Sequence, residues 1–225
     1  MRHLLTATAL SLASVASHAN GVPTAWQDVD TAHAIRAIVV ADVAAGGVLP
    51  MPDECTKGLF ICLDSSFWYR ADVRTTLAGT VPEQHLNVIT LTHQGMRSFL
   101  RDPGPRLLVL ETLGDRVIMP KYRSLPLAER RDGELFLIDH GWGWPTWLPC
   151  ATQTLRETLD EAAMPRWLLI EPEDILPHVE EHRDLYHWTP QGAFPRYGIA
   201  VSRLASLMAT LKASGAPMDC PRPEN

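Results

Sequence analysis

The chain has few of the features that announce a function. After its first residues it holds no apolar run of the roughly 20 residues that a membrane-crossing helix needs. It has no lysine- or arginine-rich cluster, and 20 basic against 26 acidic side chains leave a formal charge of −6. That balance argues against nucleic acid and anionic lipid as partners. There is no C-x-x-C pair, no phosphate-binding glycine loop, no G-x-G-x-x-G and no G-x-S-x-G elbow. These absences remove the common zinc ribbon, nucleotide-binding and serine-hydrolase signatures. No internal repeat or low-complexity tract is present.

What is there begins at the N-terminus. Met1-Arg2-His3 precedes a short apolar, small-residue stretch from Leu4 to Ala16, and Ser17-His18-Ala19 ends it with a small-x-small pattern. This reads as a secretory signal cleaved after Ala19, in preference to an ordinary N-terminal helix, which would show polar spacing. Loss of Arg2 takes the formal charge from −6 to −7. The mature protein is expected to be soluble and periplasmic or secreted. All four cysteines, Cys55, Cys62, Cys150 and Cys220, lie beyond the signal. An even count in an exported chain favours two disulfides, and of three possible pairings Cys55–Cys62 with Cys150–Cys220 is preferred. Zinc binding and free buried thiols are the competing readings.

With 46% hydrophobic residues over 225 positions, the chain can bury a full core. Ile35 to Val43 is β-branched and reads as a strand. Phe67 to Leu77 alternates, with Phe67, Tyr69, Ala71, Val73, Thr75 and Leu77 on one face, which is the period of a half-buried strand. Further strands are expected over 85–93, 106–112, 116–122 and 134–138, and Gly58 to Leu63 is another apolar run. After Cys150 the pattern turns helical. Thr154 and Glu157 form a capping box ahead of Leu155, Leu159 and Ala163. Trp167 to Ile170 reads as extended, 172–186 as partly helical, and 199–211 as an amphipathic helix. The expected architecture is α+β: an antiparallel β-barrel over 20–148, following a 1–19 signal, with a helical region over 149–225 packed on it.

Three segments, Ile35–Val43, Phe67–Gly79 and Pro103–Leu110, together resemble the netrin-like, metalloproteinase-inhibitor-like OB barrels of some exported bacterial proteins. The resemblance covers roughly residues 35 to 125 and implies a closed barrel. Inhibitors of that family present a Cys-x-Cys at the mature N-terminus to a protease zinc. Here the mature chain would begin Asn20-Gly21-Val22, so that mode of inhibition is not implied.

Two constellations bear on function. Trp142, Trp144 and Trp147 fall in the Gly/Pro-rich segment His140–Trp147 and could form an aromatic platform for a sugar ring or a peptide; the alternative is that they cover a seam between barrel and helices. His178-Val179-Glu180-Glu181-His182 fits H-x-x-E-H, which on a helix would set His178 and His182 one turn apart as zinc ligands with Glu181 as base; the alternative is a solvated helix face. The leading expectation is a non-catalytic binding or interaction module for an unknown protein, peptide or glycan. The runner-up is a metal-dependent hydrolase.

Overall fold

The computed structural model describes residues 34–50, 65–92, 104–141 and 143–220. The expected Cys55–Cys62 bond, the apolar run Gly58–Leu63, the signal peptide and Trp142 lie outside the described residues.

Five strands close into a barrel: β1 (Ile35–Val48), β2 (Ser65–Ala78), β3 (His85–Thr92), β4 (Arg106–Leu113) and β5 (Arg116–Met119). The ring runs β1-β2-β3-β5-β4 and returns to β1, which pairs with β2 on one edge and β4 on the other. All seams are antiparallel except β3–β5, where Val88, Ile89 and Thr90 run parallel to Val117, Ile118 and Met119. The barrel is therefore mixed, correcting the antiparallel expectation, and parity explains it. Strand direction can alternate all the way round only in an even ring, so five closed strands must leave one parallel seam. β4 runs against β1, the Gly114–Asp115 turn reverses it into β5, and β5 meets β3 pointing the same way.

Barrel closure divides the apolar side chains in two. Ala37, Val39, Tyr69, Val88, Leu108, Leu110 and Val117 fill the interior. Ile38, Val40, Leu107 and Val109, the alternate residues of the same strands, face outward into a second core. Strands buried on both faces read as continuous apolar runs, which is why β1 and β4 lack the alternation of β2. The long β1–β2 pair bends through register shifts, one between Ala44 and Gly47. There a Cβ on Gly46 would strike the Trp68 backbone carbonyl, so that position needs glycine.

The second core is walled by an extension of the same sheet. β6 (Ser124–Glu129) pairs with β4 and then β7 (Leu135–Ile138), and β7 pairs with β11 (Tyr197–Ala200), which holds the two-residue β8 (Glu157–Thr158). A hairpin of β9 (Tyr186–Thr189) and β10 (Gly192–Pro195) stands apart. Helix α2 (Val201–Ser214) buries Val201, Leu204 and Met208 in the second core. Cys150 and Cys220 are bonded, as expected, tying the tail down across 70 residues. Cys220 N–H also donates to the Thr146 carbonyl at 2.8 Å, and Asp219 pairs with Arg36 of β1 at 2.7 Å.

Between 149 and 200 the expected helices largely give way to single 3-10 turns. The predicted helix from Thr154 does not form: Thr154 lies near the end of the 3-10 stretch Cys150–Leu155, its Oγ1 donates to the Ala151 carbonyl instead of capping, and Glu157–Thr158 pairs with β11. Strand pairing satisfies backbone groups that a helix would have used. Trp167 lies in a 3-10 turn, Arg166–Leu168, and the five-residue α1 (Pro177–Glu181) carries the H-x-x-E-H segment.

The β6–β7 turn is held to α2 by charge. Arg130 grips the Asp132 carboxylate with contacts of 2.7 to 3.0 Å and reaches Glu134 at 2.7 Å; Glu134 in turn accepts from Ser202 at 2.7 Å. The Arg130 hydrogen bonds, then the Glu134 N–H, hold the Asp132 carboxyl down to about 2 from 3.8. Its stabilisation is complete above the ordinary value and is lost as pH falls through about 2. An NMR titration of the Asp132 carboxyl should show that low midpoint; a midpoint at 3.8 would mean the grip does not form.

Candidate functional site

The β6–β7 part of the sheet and the segment between residues 164 and 186 border a cleft of about 630 Å³. One side is Pro126 of β6, Ile138 of β7 and His140; the other is built from the turns that follow Pro165. That volume is in the range of small-molecule and peptide-side-chain sites, roughly 300–1,000 Å³.

Local packing sets what the cleft displays. The turn Arg166–Leu168 closes with Leu168 and Leu169 N–H groups bonded to the Pro165 and Arg166 carbonyls. Leu168 is buried among Phe136, Ile138, Met164 and Phe194, so its neighbour Trp167 faces out and stays 39% exposed. Ile170 is fixed by reciprocal 2.9 Å backbone hydrogen bonds with Ala193. The approach is close enough that a Cβ on Gly192, at φ +140°, would strike the Ile170 carbonyl. Glu171 begins the next turn, Pro172–Asp174, and both acids line the cleft. Val179 then sinks into a small core with Leu185, Tyr186 and Ala193, leaving Leu176 at 55% exposure and His178 on the cleft side.

The opposite side is equally braced. Asp139 accepts from the Gly141 N–H at 2.9 Å and pairs with Arg156 at 3.2 Å, whose guanidinium stacks 3.8 Å above Tyr197. This fixes the loop carrying His140. Tyr186 O–H donates to the His140 carbonyl, and burial, then the charge of Asp139, pushes its phenol up, keeping it a neutral donor. The site thus offers an exposed indole and leucine, two carboxylates and two imidazoles on a rigid frame, the composition of a recognition surface.

The residues singled out in the sequence are dispersed. Trp147 is 3% exposed in the second core, and Trp144 packs half-buried on its margin, the arrangement of rings that cover the seam. His178 lines the cleft. His182 caps the end of α1, its ring against Gly141, where a Cβ would lie 2.9 Å from His182 Cγ. Among the described residues no group of three or more histidine, cysteine, aspartate or glutamate side chains could hold a metal ion. The zinc reading therefore gains no third ligand there. Trp167, Leu176, Glu171 and Asp174 escaped the sequence reading. The available signal was a tryptophan after Pro165, followed by the acidic, proline-bounded run Glu171–Asp174.

No family model, curated protein or solved structure matches the chain.

Proposed function

We propose that the chain is an exported, disulfide-bonded binding module whose ligand seats in the cleft between Trp167, Leu176 and His140. The observation that carries this reading is a cleft lined by an exposed tryptophan and an exposed leucine together with two carboxylates that have no salt-bridge partner among the described residues, on a backbone braced by the Ile170–Ala193 bridge. Large apolar side chains left in the open around a cleft mark interaction sites. Support for export comes from the signal-like N-terminus and from the Cys150–Cys220 bond, a crosslink typical of oxidising compartments. No helix among the described residues is long and apolar enough to cross a membrane. The netrin-like, OB-type assignment of the barrel is part of the same proposal. It is supported by the closed five-strand ring and by the segments on which the resemblance rests.

Trp167→Ala tests the site. Because the ring is largely outside the cores, the variant should unfold within about 0.5 kcal/mol of the parent. On a peptide and glycan array the parent should retain ligands that the variant loses. Identical profiles for the two proteins would remove the cleft as the binding site.

A further inference from the structure

We propose that this cleft receives a basic side chain, lysine or arginine, borne on an exposed peptide segment of a partner protein; the inference rests on the cleft being the ligand site. Glu171 and Asp174 are three residues apart on a 3-10 turn closed by the 2.9 Å bond from Asp174 N–H to the Glu171 carbonyl. Glu171 is the extended cap ahead of that turn and Asp174 its last residue, both line the cleft, and Pro172 between them stiffens the turn. Among the described residues neither carboxylate has a salt-bridge partner. No lysine or arginine lines the cleft, and Arg183, the next cation along the chain, is engaged 4.3 Å over the Trp188 ring. Two adjacent like charges repel, and a cation placed between them relieves the repulsion.

The remaining lining suits the rest of such a side chain. The Trp167 indole offers a face for the cation, and the exposed Leu176 offers apolar surface for the methylene stem. A free amine would leave Leu176 uncovered, whereas residues flanking a lysine or arginine on a peptide would bury it. The chain's net charge of −6 also favours encounter with a basic partner.

Calorimetry on the oxidised mature protein decides it. Three acetylated, amidated tetrapeptides would differ at one position only: lysine, arginine or norleucine. At low salt and about pH 8, the lysine and arginine peptides should bind roughly tenfold or more tightly than the norleucine peptide. The double variant Glu171→Gln, Asp174→Asn should erase that difference. Leu176→Ala should weaken all three. Equal affinity for lysine and norleucine, or undiminished lysine binding by the double variant, would overturn the proposal. Spermidine binding as tightly as the lysine peptide would overturn its peptide part. If all three peptides fail while the array still yields a Trp167-dependent ligand, the cation inference falls and the cleft reading survives; if the array is also blank, both fall.

Discussion

Replacing Trp147 by alanine should destabilise the protein by about 3–5 kcal/mol, the usual loss for deleting a large buried ring. Trp147 is 3% exposed and packs with Ile38, Val40, Leu107 and Leu148 where the barrel's outer face meets α2. Its backbone is also committed: the Trp147 carbonyl accepts from Arg36 at 3.4 Å, and the Leu148 N–H bonds the Pro145 carbonyl at 2.9 Å. The neighbouring loop therefore cannot easily collapse into the space the ring would vacate, which places the cost toward the upper end. Against a total stability of typically 5–15 kcal/mol, such a loss would leave a marginal fold. Urea unfolding of the two proteins measures it. Trp144→Ala, at the half-buried margin, should lose distinctly less. Equal and negligible losses for both variants would put the rings on the surface and restore the aromatic platform as a candidate.

The second large effect is expected from the double variant Cys150→Ser, Cys220→Ser. Closing a loop of 70 residues restricts the unfolded chain by about 4 kcal/mol in the chain-entropy account. The bond also positions the tail residues that meet the barrel, Asp219 on Arg36 and Met218 against the second core. Losing the crosslink should free the residues after Gly215 first, and then expose the margin of that core. Chemical unfolding of parent and double variant gives the magnitude. Hydrogen exchange at the backbone N–H of position 220, bonded to Thr146 in the parent, shows whether the tail has lifted. A variant as stable as the parent, with that N–H still protected, would show that packing alone holds the tail.

Much of the barrel was legible because its strands obey simple periodicities. The alternation of β2 and the β-branched run of β1 follow directly from one or both faces being buried. Direction was not legible, since it depends on how many strands close the ring, a property no single segment carries. β6 was missed because Ser124-Leu125-Pro126-Leu127 has a proline where a strand would donate, yet Pro126 sits at the end of the β4 pairing, where that donor is not needed. The C-terminal half misled in the other direction. A capping-box pattern at Thr154 encodes a local preference, and pairing with β11, some 40 residues further on, outweighed it. The 14-residue α2 was readable because its apolar face and its glycine stop lie within one segment.

The site was less legible than the fold. His178 was found by a motif, and the structure brings it to the cleft, but beside apolar groups and acids drawn from other turns. Trp167 gave no periodic signal, because its exposure results from the burial of Leu168 next to it. The cysteine count pointed to disulfides but left three pairings open, of which the preferred one contained the observed Cys150–Cys220 bond. A recognition surface assembled from single turns leaves its trace in tertiary packing, and a pattern read along the chain does not reach it.

The shared use of β1 and β4 has a mechanical consequence. Odd-numbered residues of β1 serve the lumen while even-numbered ones serve the outer layer, so a single ribbon is the partition between two apolar compartments. Neither compartment can be opened without stripping one side of that ribbon. Once the tail has lifted, damage in the outer layer should therefore pass through Ile38 and Val40 to the staves of the barrel, and the two compartments should come apart together.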